Sequence, residues 1–204
     1  MSKRRTRAQT VQDNRDALLV AARQMFERLG YHGATIDAIA DEAGFTKGAV
    51  YSQFGSKDDL FLAVIERNIE NRYEAFARFV ELADESTDPA ELIELAYDQT
   101  VVSLAWQAAL IEFRVHAWRT DDVNRRYSEL HQQTIDGVAR VIGDLHARVG
   151  IETPRDPAEL AVSFLGGGSG LVLELLTNPD TDPRTFVASM TAFAQRSSTG
   201  AMTE

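Results

Sequence analysis

The sequence predicts an all-α protein: an N-terminal three-helix helix-turn-helix domain followed by a larger C-terminal helical domain. Three observations predict it. No stretch sustains the period-two alternation of a half-buried strand, whereas apolar residues recur at helical spacing along most of the chain. Residues 35 to 60 read as two short helices joined by a tight glycine turn, followed by a third helix start. Three Asp-Pro pairs (Asp88-Pro89, Asp156-Pro157 and Asp182-Pro183) mark helix starts further on. In each, Asp caps, and Pro at the first helical position sacrifices only an N–H that would otherwise be orphaned.

Taken in order, residues 1 to 12 form a flexible basic arm, of which 1 to 10 read as disordered in the free protein. A first helix is predicted from about Gln12 to Leu29, with Leu18, Ala21, Ala22, Met25, Phe26 and Leu29 as its apolar stripe. Gly30 and Gly33 bracket a turn. Thr35 caps the second helix, whose inner face is Ile36, Ile39, Ala40 and Ala43. Gly44 follows, where the helix stops and the chain needs a positive φ. Thr46 caps the third helix. It turns Val50 and Phe54 inward and leaves Lys47, Gly48, Tyr51 and Ser52 outside. Gly55 ends it, and Ser56 caps a fourth helix with Asp58 and Asp59 in its first turn, where carboxylates suit the helix dipole. That helix carries Leu60, Phe61, Val64, Ile65, Ile69, Tyr73 and Phe76 on one side and continues to about Leu82.

The helix-turn-helix domain is therefore placed at 13–57, helix 57–82 links the domains, and 83–204 form the rest. There, helices are predicted over 89–118 (one or a pair), about 122–149, 157–177 and 183–196, with 197–204 frayed. The 122–149 helix has Val123, Tyr127, Leu130, Val138, Val141, Ile142 and Leu145 as its main apolar set.

A chain of 204 residues with 44% apolar and 25% charged residues has the composition of a soluble globular protein. The absence of cysteine excludes a disulfide framework, a thiolate nucleophile and a cysteine metal site, and fits a reducing cytoplasm. No signal core follows the basic start, and no run is expected to reach the length of a membrane span. The net charge of −10 argues against a polyanion partner until it is divided along the chain. Residues 1 to 57 hold nine Lys/Arg against six Asp/Glu, and the remainder holds 12 against 25. Salt screens charges beyond roughly 8 Å, so duplex DNA would meet the basic end alone.

Helix, short turn, helix with a small, polar, basic and aromatic outer face is the design that enters a DNA major groove. Lys47 is placed for a phosphate or a guanine edge, Gly48 for close backbone approach, and Tyr51 for a phosphate and a sugar or thymine methyl. Ser52 and Gln53 continue the outer face. Thr35 and Thr46 present cap hydroxyls and helix-start N–H groups to phosphates. Lys57 is expected to face the same strand, and Lys3, Arg4, Arg5 and Arg7 form an arm able to reach DNA. Each has a bland alternative as a cap, a core ring or a solvated base. Their common spacing favours the DNA interface.

The run T-I-x-x-I-A-x-x-A-G, then T-K-G-A-V-Y-x-x-F, then S-K-x-x-L resembles the DNA-binding domain of TetR-type transcriptional regulators over residues 13 to 65. Gln53, where the family often has an aromatic or His, and Phe45, where it often has Val or Leu, depart from that pattern. The resemblance implies that Thr35, Thr46, Lys47, Gly48, Tyr51 and Lys57 touch DNA and that the last two long helices pair two copies. The residues point the same way. Leu160, Phe164, Gly168, Leu171 and Leu175, with Phe186, Met190 and Phe193, would form a four-helix seam between protomers.

The expected function is a homodimeric, sequence-specific DNA-binding regulator, a repressor released from a double-stranded operator by a small-molecule effector. Candidate effector-lining residues are Trp106, Leu110, Phe113, Trp118 and Phe164. The alternatives are an all-α small-molecule-binding protein or enzyme that keeps the module without reading DNA, and a nonspecific packaging protein, which would be basic throughout. Glycines in the GGGSG segment at 166–170 each cost about 1 kcal/mol in a helix interior, so a close helix contact or a local distortion is expected there. Its spacing matches no phosphate-binding loop. Glu112 and His116 stand at i, i+4 but lack further ligands, so neither a metal nor a cofactor is expected. His131 and His146 read as surface residues, Asp121-Asp122 as a helix cap, and nothing in the spacing suggests catalysis.

Overall fold

The computed structural model describes residues 6–82, 103–148, 156–182 and 184. Among them the elements are seven α-helices: α1 (Arg7–Gly33), α2 (Ile36–Ala43), α3 (Lys47–Phe54), α4 (Lys57–Leu82), α5 (Leu104–Trp118), α6 (Asp121–Arg148) and α7 (Pro157–Thr177). The expected Asp88-Pro89 start and the 183–196 helix lie outside the described residues, Asp182 and Arg184 apart. The chain divides into two compact units. The first joins Met1–Asn68 to Ala105–Leu130, and the second joins Ile69–Leu104 to His131–Glu204.

In the first unit α1 starts well before the expected Gln12. Thr6 and Gln9 form a capping box: the Gln9 N–H donates to the Thr6 hydroxyl at 3.2 Å, and the Thr6 N–H donates to Gln9 Oε1 at 2.9 Å. Residues 6 to 10 are thus the cap and first turn of a helix, a correction to the disordered arm. The α1 helix breaks at Gly30, whose φ of 71° and ψ of 173° belong to a region reached essentially by glycine alone. The caps of α2 and α3 fall where expected, with Gly44 left-handed between them and Ile36, Ile39, Ala40, Val50 and Phe54 buried.

The core of this unit is aromatic. Phe61 of α4 meets Phe26 at 4.7 Å and Tyr31 at 5.2 Å between ring centroids, and it stacks on Phe113 at 4.4 Å and Trp106 at 5.1 Å. Such pairs add to the large apolar area each ring removes from water. Helix α5 is also held by polar contacts. The His32 N–H donates to Glu112 Oε2 at 3.1 Å, and His116 Nε2 lies 3.2 Å from Asp58 Oδ2, while the Tyr31 hydroxyl donates to the other Asp58 oxygen. Burial, then the Asp58 contact, raises the Tyr31 pKa far above its ordinary value. Arg126 of α6 pairs with Asp59 at 2.5 Å.

In the second unit Val80 of α4 is buried, as are Ala161, Leu171, Val172 and Leu175 of α7. Asp156 caps α7 by accepting from the Ala158 N–H at 2.9 Å, with Pro157 at the first position. The expectation that no run reaches a membrane span is corrected by α7. Over an 18-residue window its mean hydropathy is 1.6, and only 22% of that window is buried. Length and apolar composition alone bring it to that level, its leucines, valines, alanines and Phe164 outweighing Glu159 and Glu174. Val162, Leu173 and Leu176 stand exposed on it.

A Cβ on Gly30 would lie 2.7 Å from Glu112 Oε1 as well as in a strained backbone region. Gly30→Ala is expected to lower the unfolding free energy by about 2 kcal/mol or more. Chemical denaturation should show that loss shrinking, though not vanishing, in a Glu112→Ala background, where the clash is gone and the strain remains.

Candidate nucleic-acid interface

Helix α3 buries Val50 and Phe54 and exposes Lys47, Gly48, Tyr51 and Ser52, so the predicted outer row is brought together on one face. Tyr51 is 45% exposed, a large amphipathic ring left in solvent. Gln53 is half-buried. Thr46 accepts from the Ala49 N–H at 3.2 Å, and Thr35 accepts from the Ala38 N–H at 3.2 Å. A hydroxyl that accepts from a helix N–H keeps its own proton to donate to a phosphate. Both helix starts carry N–H groups without intrahelical partners, which favours anions there. At Gly48 a Cβ would find Thr46 Oγ1 no nearer than 3.9 Å, so nothing within the protein requires glycine at that point of the exposed row.

Most basic side chains of this unit are engaged internally. Lys47 Nζ donates to Asp37 Oδ2 at 2.8 Å, a bond that raises the lysine pKa. Arg28 pairs with Glu42 at 2.9 Å, and the Arg15 guanidinium lies over the Phe54 ring at 4.7 Å. Lys57, expected to face DNA, turns inward. Its ammonium donates to the carbonyls of Tyr31 at 3.0 Å and Ala34 at 3.2 Å and lies 4.4 Å from the Tyr31 ring centre. Burial pushes its pKa down despite the nearby carboxylates. Two of its three donors therefore close the end of α1, which leaves one for any other partner. Spacing could not reveal this, because the carbonyls it meets lie 26 and 23 positions back, at the end of α1. Lys3, Arg4 and Arg5 lie outside the described residues, and Arg7 opens α1.

The remaining candidates fall as follows. Trp106 and Phe113 are buried in the aromatic core, Leu110 is half-buried, and Trp118 is 72% exposed. On α7, Leu171 and Leu175 are buried and Leu160, Phe164 and Gly168 half-buried. Phe186, Met190 and Phe193 lie outside the described residues. A Cβ at Gly166, Gly168 or Gly170 would meet nothing within 4 Å. Glu112 and His116 bond to His32 and Asp58, and among the described residues no group of three or more metal-ligating side chains occurs. His131 and His146, expected at the surface, are half-buried, and burial pushes the His146 pKa down.

Residues 18–64 match the family model described as bacterial regulatory proteins, tetR family. The chain is 46% identical over 59 residues to the HTH-type transcriptional activator FasR of Mycolicibacterium smegmatis, a match covering 29% of this chain and 27% of FasR. It is 28% identical to the HTH-type transcriptional repressor AcnR of Corynebacterium glutamicum, over 83% of this chain and 86% of AcnR. The crystal structure of the transcriptional regulator FadR from Bacillus subtilis in complex with stearoyl-CoA superposes with a TM-score of 0.65 at 15% identity, over 89% of this chain and 96% of FadR. At that identity the likeness is one of fold.

Lys47→Ala and Tyr51→Ala are expected to weaken binding to a selected DNA site at least tenfold in fluorescence anisotropy, with melting and sedimentation unchanged. Gly48→Ala should separate the two roles of the row: unfolding free energy rises by about 0.5–1 kcal/mol, the helix-propensity gain over glycine, while DNA affinity falls.

Proposed function

We propose that the chain is a TetR-type regulator, as the match over residues 18–64 supports, and that it works as a homodimeric repressor freed from its operator by a small molecule. The observation that carries the reading is the exposed row Lys47, Gly48, Tyr51 and Ser52 on a helix whose other side is buried. A row of small, polar, basic and aromatic groups set on a rigid helix fits a major groove.

Two further lines support the finer parts. The near full-length likeness to AcnR, named a repressor, extends beyond the DNA-binding stretch, whereas the match to FasR, named an activator, stays within 59 residues. The long apolar helix α7, exposed at Val162, Leu173 and Leu176 and open at its glycines, fits a seam with a second copy better than a solvated face. Two heads about one helical turn (~34 Å) apart would then occupy successive grooves. Helix α4 contributes to both compact units. An effector that prefers a shifted α4 would move the heads out of register, by as much as its preference between the two states allows. FadR was crystallised with stearoyl-CoA, and an apolar effector of that broad kind is the first to screen.

Gel shifts of the full chain with DNA selected from a random pool, repeated with a panel of acyl-CoA thioesters and other apolar compounds, test the reading. A selective shift that a compound reverses supports it. Failure to enrich any sequence would instead favour a small-molecule-binding protein that keeps the module without reading DNA. For the seam, Gly168→Ala is expected to weaken dimerisation in sedimentation equilibrium at least tenfold, although alanine favours the helix itself by about 1 kcal/mol.

A further inference from the structure

Asp37 stands in the first turn of α2, on the side from which its carboxylate reaches the ammonium of Lys47 at 2.8 Å. Both side chains are well exposed, Lys47 at 53% and Asp37 at 61%. A carboxylate beside a surface that must meet phosphates works against simple attraction. The other bases nearby are similarly withheld, Arg28 by Glu42, Arg15 over Phe54 and Lys57 on two backbone carbonyls. The described head is therefore poor in unattached positive charge.

We propose that Asp37 is a specificity-determining residue that holds Lys47 for a base edge and disfavours its use on a phosphate. The proposal rests on the reading that α3 enters the major groove. Phosphates occur at every step of a duplex, whereas a guanine O6/N7 edge occurs only at the right base pair. Where Lys47 meets a phosphate, the Asp37 carboxylate stands beside a second full negative charge. To reach a guanine, Lys47 turns toward a neutral pair of acceptors, and an ammonium with three donors keeps Asp37 while donating to O6 and N7. The charge on Asp37 therefore weakens binding to arbitrary sequence more than binding to the correct one.

The test uses the full-length protein, the selected duplex and a scrambled duplex of equal composition, with anisotropy titrations over a range of salt. Asp37→Asn is expected to bind the scrambled duplex several-fold more tightly, with a salt slope steeper by about 0.9 for each head that gains a phosphate contact. The selected duplex should gain less, so the ratio between the two falls. Asp37→Glu, which keeps the charge, should restore that ratio. In a Lys47→Ala background the effect of Asp37→Asn on the ratio should vanish. Equal changes on both duplexes, or an undiminished Asp37 effect without Lys47, would overturn the assignment while leaving the groove reading intact. Should Lys47→Ala bind the selected duplex as tightly as the parent, the groove reading falls, and the assignment with it.

Discussion

The DNA-reading head depends on the packing of α5 against α1 and α4. Phe61 is the centre of that packing, edge-on to Phe26 and Tyr31 and stacked on Phe113 and Trp106. Two of those four neighbours come from the matched stretch of residues 18–64, and two come from α5, beyond it. Without α5, the inner face of α4 would present Phe61 and its neighbours to water. The polar contacts run the same way: Glu112 satisfies the N–H of His32 just after the break in α1, and His116 meets the carboxylate that also holds Tyr31. The three-helix motif is thus the surface of a larger object whose interior is finished by a later helix.

The local features of this arrangement were legible. Caps and turns depend on neighbours within four residues, so Thr35, Gly44, Thr46, Gly55 and Asp156 are readable from spacing, and the structure places them as read. The Thr6–Gln9 box was equally local and was obscured by the basic residues around it. Non-local pairings were not legible. Nothing in the order of residues says that Lys57 closes α1, that Glu112 sits over Gly30, or that Trp106 and Phe113 belong to the core of the head. Periodicity finds a buried face without naming what covers it. The apolar length of α7 escaped for a different reason: glycines and scattered polar residues disguise a window whose mean hydropathy is high.

Charge follows a division that net values conceal. The acidic balance of the whole chain gives way to a basic end, yet within the described head Arg28 and Lys47 already face carboxylates. The rigid helices present shape and hydrogen-bonding groups, while the densest run of bases lies in Lys3, Arg4 and Arg5, ahead of the first cap. Surface pairs of this kind add little to stability, so their weight falls on what they do to an incoming anion.

The carboxylate of Glu112 that reaches back to His32 bridges 80 positions of the chain, and the Asp58–His116 contact bridges 58. Bringing such distant segments together costs loop-closure entropy before any contact repays it, and topologies of this sort fold more slowly than purely local ones. During synthesis, residues 18–64 are made before α5, and their aromatic side stays uncovered until that helix follows. The nascent module therefore acquires its finished interior only once translation has passed Trp118.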